Sequence, residues 1–286
     1  MEITVLPDLF IDIIVRDYEL SKKEGNIWTK NTIKLGGNAT NFSIALAKLG
    51  IKHNLIVATG KIGEILIKKY IEENNLPIFL FIIQTEDSIT VSLEEENKNI
   101  MLTDPKGIQV GINEIKIYDD IIKNSDYIVF GNWNNNRKSN ELLEYILKET
   151  NSKLYLDTGD LTIAKERVAD LIRIINKYGI WVLSLNENEL NFFSNFLGIE
   201  GNIIEKAKKL FEKLNLEHLD IHTSDFTYTL PDDVLVTVEK IEPKIVTGAG
   251  DTWNATNFYG YIKNFSPKER LLFANEIAKK YVLNSF

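Results

Sequence analysis

Short runs of β-branched and aromatic residues alternate along the chain with stretches in which apolar residues recur every three or four positions. That is the pattern of a parallel sheet covered by helices. The runs predict strands over 3–6, 54–58, 127–130, 153–156, 181–185 and 217–222. The longer stretches predict helices over 40–49, 63–73, 138–149, 166–177, 187–197, 202–214, 251–263 and 267–283. Two segments, approximately 14–34 and 77–110, break the rhythm. Strand-like pieces at 79–83, 89–93 and 100–103 follow one another there without a helix, joined by a polar turn at 94–99, and are expected to form a small inserted sheet. Phe79, Phe81, Ile83, Val91 and Leu93 recur at period two and give that sheet an apolar face. Such a face needs a cover: the main sheet, a bound substrate or a second lid.

Composition bounds the partners. A chain of 286 residues, 44% hydrophobic, can bury one main domain with an appendage. Its net charge of -8 and pI near 5.1 argue against a nucleic-acid surface, which needs clustered Lys and Arg. Lys68, Lys69 and the lysines of 206–213 fall on the polar faces of amphipathic stretches. The absence of cysteine excludes disulfides, thiolate metal sites and a cysteine nucleophile. No stretch of 18 apolar residues occurs, and the first residues lack the basic and apolar pattern of a signal peptide. The expectation is a soluble, cytoplasmic protein with no membrane partner.

Two glycine turns, each opening a helix, carry the candidate chemistry. In 247–256, Gly248, Ala249, Gly250 and Asp251 precede Trp253, Ala255, Phe258, Tyr259 and Ile262 at helical spacing. The first N–H groups of such a helix have no partner within it and can hold a phosphate. A carboxylate beside them suits a general base acting on an attacking alcohol, although Asp251 could equally cap the helix. About 200 residues upstream, Gly36 and Gly37 lead through Asn38 and Asn41 into a second helical run.

With Gly36, Gly37 and Asn41 at one end and Gly248 to Asp251 at the other, the sequence resembles the ribokinase/PfkB family of carbohydrate and nucleoside kinases over essentially its whole length. The resemblance implies a ribokinase-like three-layer α/β sandwich over 1–286, with a central mostly parallel sheet and a small inserted β-sheet lid that also serves as a homodimer contact. It implies ATP-dependent, magnesium-requiring phosphorylation of a sugar hydroxyl, with Asp251 as base and the backbone of Gly248, Ala249 and Gly250 as anion hole. Asp12, read as lying near the end of the first strand, would bind the sugar with Gly36, Gly37, Asn38 and Asn41; Asp8 is a further candidate contact. Asn186 and Glu189 match the family's Asn-x-x-Glu magnesium element, although the same spacing makes a helix capping box. Asn186, Thr223, Ser224 and Asn275 would border the nucleotide, and some family members also use a monovalent cation.

Departures and alternatives remain. The family's Thr-x-Gly-x-x-Gly donor loop is replaced by His222, Thr223, Ser224, Asp225 and Phe226. Ile65 and Lys68 stand in an eroded second motif that keeps Gly63, and Thr256 replaces a small glycine. Trp133 could stack on a sugar or a base, or lie in the core, so a nucleoside kinase is the first alternative. A catalytically weak sugar- or nucleotide-binding homologue is another. The stretch 157–160 could border the phosphate path or form a simple turn, and His53, His218 and His222 are read as structural. A dinucleotide-dependent oxidoreductase is disfavoured, since Pro7-Asp8-Leu9-Phe10 stands where Gly-x-Gly-x-x-Gly would follow the first strand.

Overall fold

Alternate residues of the central strands point into opposite layers. In the computed structural model, which describes residues 1–16, 25–26, 28–95, 98–242 and 247–286, Val129, Tyr155 and Val182 join one buried apolar cluster. Ile128, Phe130, Leu154, Leu156 and Leu183 join another. A sheet apolar on both faces must be covered on both faces, and helices cover it.

The strands are β1 Ile3–Leu6, β2 Phe10–Arg16, β3 Lys30–Gly36, β4 His53–Thr59, β5 Ile78–Gln84, β6 Ser88–Glu95, β7 Lys98–Asp104, β8 Tyr127–Phe130, β9 Lys153–Asp157, β10 Ile180–Asn186, β11 Leu216–His222, β12 Phe226–Leu230 and β13 Val234–Thr237. The helices are α1 Asn38–Lys48, α2 Lys61–Glu73, α3 Ile112–Ile115, α4 Asp119–Lys123, α5 Ser139–Glu149, α6 Val168–Tyr178, α7 Glu187–Phe196, α8 Ile203–Lys213, α9 Ala249–Ile262 and α10 Pro267–Val282. Among the described residues the main sheet runs β13-β12-β11-β10-β9-β8-β1-β4-β5. It is parallel except at β12 and β13, which pair antiparallel at one edge. The chain leaves β1 towards β4 and β5 on one side and returns to β8 on the other. This reversal of strand order opens a crevice at the carboxyl ends of β1 and β8, where open α/β sheets bind ligands.

The second sheet, β3-β2-β6-β7, stands apart from the first. Two expectations are corrected here. The 79–83 strand lies not in the small sheet but at the edge of the main sheet, where β5 pairs parallel with β4 from His53↔Ile78 to Thr59↔Gln84. Period-two apolar spacing fits a lid strand and a half-buried edge strand equally, and packing of Ile78 and Ile83 into the two core clusters decides between them. Asp12, expected near the end of the first strand, sits instead on the lid strand β2, opposite Lys34 and Thr90. Part of the 14–34 segment (17–24 and 27), two residues of the 94–99 turn (96 and 97), and residues 243–246 before the second glycine turn lie outside the described residues. No helix among the described residues is long and apolar enough to cross a membrane.

Candidate active site

The first glycine pair exists because two carboxylates lie under it. A Cβ on Gly36 would overlap the Asp12 carboxylate, and one on Gly37, whose φ is +95°, would overlap that of Asp8. The bare backbone therefore closes the β3–α1 junction over both acids. Asp8 is fully buried; it accepts from the Ala39 N–H at 2.9 Å and from Asn132 Nδ2 at 2.7 Å, and so anchors the start of α1. Burial raises its pKa to about 6. Asp12 is raised to about 6 by burial and then by Asp8, and it faces a cavity of about 590 Å³ between the lid and the sheet.

That cavity brings together Asp12, Gly37, Asn38, Asn41, Gly248 and Asp251 from opposite ends of the chain. Gly36 supports it from below, through Asp12. Asn38 Nδ2 donates to Asp157 Oδ2 at 3.2 Å, and Asn41 Nδ2 donates to Asp251 Oδ2 at 2.8 Å. Asp157 also accepts from the Gly159 N–H and from Asn254 of α9. Asp251 is pushed well above the usual carboxylate range by burial and then by Asp157. Glu189 is pushed up in the same way and reaches the same cavity. Acids that oppose one another's ionisation form a place where a cation is favoured, and carboxylate oxygens suit magnesium.

Asn186 lines neither this cavity nor the next. It forms the helix capping box with Glu189: Asn186 Oδ1 accepts from the Glu189 N–H at 3.0 Å, while Glu189 Oε2 accepts from the Asn186 N–H at 2.9 Å. Asn186 Nδ2 also donates to Glu189 Oε1 at 2.8 Å, so it orients the carboxylate.

The second glycine turn separates two cavities. Gly248 caps α9 in the left-handed region at φ 89°, and its carbonyl receives the Thr252 N–H at 3.0 Å, which leaves the N–H groups of residues 249–251 to be satisfied from outside the helix. On the far side Ala249 and Gly250 border a cavity of about 540 Å³ with Thr223, Ser224, Asn275 and His222. Asn275 is held there as acceptor from Trp253 Nε1 at 2.8 Å and donor to Thr227 at 3.2 Å. The chain that replaces the family's glycine loop closes as a tight turn, with the Thr223 hydroxyl donating to the Phe226 carbonyl and accepting from the N–H groups of Asp225 and Phe226. Asp225 points its charge at Lys240, 3.3 Å away.

Some readings move. Trp133 is fully buried, donates to Asn140 Oδ1 at 2.9 Å and lies 4.6 Å beneath the Arg167 guanidinium, and it lines neither of these two cavities. His222, read as structural, walls the second cavity with its ring 4.9 Å from that of Trp253. Asn132, Asn134 and Asn135 line the first cavity and were not foreseen. Their only signal is a run of asparagines directly after a strand.

A family model described as pfkB family carbohydrate kinase matches residues 2–285. A protein of Archaeoglobus fulgidus described as an uncharacterized sugar kinase is 26% identical over 251 residues, covering 84% of this chain and 94% of its own. The fold is similar to that of ribokinase from Thermotoga maritima, at 18% identity and TM-score 0.79, with 99% of this chain and 93% of that one covered. Adenosine kinase from Sinorhizobium meliloti gives 14% identity and TM-score 0.79 over 98% and 93%.

Proposed function

The chain belongs to the pfkB family of carbohydrate kinases, and from that premise we propose that it transfers the γ-phosphoryl group of ATP to a hydroxyl of a small sugar. One observation carries this reading. The start of α9 is shared by two cavities, with Asp251 on one side and Ala249 and Gly250 on the other.

In the reaction Asp251 accepts the proton of the sugar hydroxyl as its oxygen bonds to the γ-phosphorus and the bond to the ADP oxygen breaks. The N–H groups of residues 249–251 hold the transferring oxygens, and the helix end favours their charge. Asp12, Asn38 and Asn41, with the Gly37 backbone, orient the sugar; Thr223, Ser224 and Asn275 border the nucleotide. Glu189, oriented by Asn186, would hold magnesium together with Asp157. No three acidic or histidine groups among the described residues form a direct cage, so these carboxylates would reach the ion through its retained waters. When bound, magnesium neutralises charge on the β- and γ-phosphates. The reading includes a cytoplasmic setting and, as in some relatives, a monovalent cation.

Burial of Trp133 weighs against the nucleoside reading, because the aromatic side chain that could have stacked on a base is not in the cavity. The test is ADP release with a panel of sugars and nucleosides. Turnover with a sugar alone supports the proposal, and turnover confined to nucleosides overturns it.

A further inference from the structure

A third cavity, of about 480 Å³, lies behind the catalytic turn, walled by β3, α1, α2 and the end of α10. Its size falls in the range of small-molecule sites. Its charge is unlike that of the others. The sugar cavity is lined by Asp12, Asp160, Glu189 and Asp251 without a lysine or arginine, and in the nucleotide cavity Asp225 and Glu239 balance Lys240 and Lys279. Here Lys34, Lys48 and Lys69, from three different elements, converge with the Glu73 side chain, whose carboxylate lies 3.6 Å from Lys69 Nζ, so the lysines still outnumber the acidic side chain. In a chain of net charge -8 this is a local concentration of positive charge. Lys48 is exposed to solvent, donates to the Phe286 carbonyl oxygen at 3.0 Å and has its pKa lowered by partial desolvation, so its charge gains from an anionic partner. Ile44, Ala45 and Leu66 supply apolar wall, with the side chains of Tyr70 and Tyr281 beside it.

Three side chains of the cavity also hold the turn. Asn41 donates to Asp251 at 2.8 Å, the Thr252 hydroxyl to the Gly248 carbonyl at 3.0 Å, and the Tyr281 hydroxyl to the Thr247 carbonyl at 2.7 Å. A Cβ on Gly248 would overlap the Tyr281 hydroxyl, so Tyr281 and the turn are in direct contact. We propose that this cavity binds a small phosphomonoester, held by Lys34, Lys48 and Lys69, and that its occupancy alters turnover through Asn41, Thr252 and Tyr281. The cavity shares Asn41 with the sugar cavity, but none of the three lysines lines the sugar or nucleotide cavity. The effect on turnover rests on the proposed role of Asp251; binding does not. Coupling of this kind is reciprocal, so bound sugar and nucleotide would change the affinity of the cavity as well.

The experiment uses the whole protein without sugar or nucleotide, with 3-phosphoglycerate, ribose 5-phosphate and inorganic phosphate as probes and sodium chloride at matched ionic strength. The melting temperature is expected to rise with a phosphomonoester up to about 10 mM, since a ligand of the folded state stabilises it by mass action. Calorimetry should show affinity about tenfold above that for inorganic phosphate, which cannot use the apolar walls. Lys48→Ala/Lys69→Ala should abolish the rise while leaving basal turnover within about twofold; Lys69→Glu alone should weaken it, should the double variant fold poorly. Absence of any rise in the wild type, or a rise that survives both substitutions, overturns the site. Binding that leaves kcat unchanged overturns the coupling alone. If no sugar is turned over, the proposed reaction fails while the binding measurement still reads.

Discussion

Asn41 at the start of α1 and Asp251 at the start of α9 are hydrogen-bonded at 2.8 Å although 210 residues separate them in sequence. Asn41 Nδ2 donates to Oδ2, so under the proposed reaction the other carboxylate oxygen of Asp251 would take the substrate proton. The contact places Asp251, the proposed base, against the cavity that Asp12 and Asn38 also line.

Asp251→Asn is therefore expected to lower kcat by roughly 100- to 10,000-fold while sugar affinity changes little, since the amide keeps the shape and loses the basicity. Single-turnover rates and calorimetry on one preparation separate the two. A variant with more than about a tenth of wild-type turnover would remove Asp251 from the role of base.

Glu189→Gln should raise the magnesium concentration for half-maximal rate by about tenfold or more, because a charge is lost beside Asp157. Asn186→Ala should act in the same direction and also cost about 1 kcal/mol of stability through the lost helix cap. Magnesium titrations paired with melting curves distinguish a metal role from capping alone, for which only the melting curves would move.

Asp12→Asn carries a pH signature. The folded pKa of Asp12 is raised from 3.8 to about 6, so between these values the folded protein keeps a proton that the unfolded chain has released. The wild type thus loses stability relative to the variant as pH rises through this window, by up to about 3 kcal/mol, and the difference is flat above it. His53 and His222, lowered to about 4, act oppositely but are common to both proteins and cancel in the difference. Urea midpoints between about pH 4 and 7 measure it, and a difference that does not change with pH would contradict the assigned shift.

The outer face of the lid predicts self-association. Register aligns Ile33, Ile13, Val91 and Leu102 in one row across the sheet, and Ile33 and Leu102 are 63% and 56% exposed. A second copy of the same face would cover this row. Sedimentation velocity should show a homodimer that Ile33→Glu with Leu102→Lys converts to monomer, whereas a wild-type monomer at micromolar concentration would contradict it.

Asn275→Ala should raise KM for ATP about tenfold and leave KM for the sugar unchanged, because the side chain borders the cavity proposed to hold the nucleotide and is pinned by Trp253 and Thr227. Equal changes in both constants would point to a general loosening of α9 and α10.

The sequence alone determined the elements that are set by local physics. Short β-branched and aromatic runs located the central strands, which are buried on both faces, and the 3.6-residue period located the eight longer helices among the described residues to within a few positions, since burial on a helix face repeats with the geometry of the backbone. The glycine turns were equally legible, because Gly37 and Gly248 occupy backbone conformations that disfavour a side chain. What only the tertiary structure decided is which groups meet. Assignment of β5 to the main sheet, the position of Asp12 on the lid, burial of Trp133 and the convergence of Asp157, Glu189 and Asp251 all depend on contacts between distant segments. Local pattern holds no record of such contacts, because a strand's period shows that one face is buried but not against what, and a carboxylate's neighbours are fixed only when the sheet order brings their strand ends together.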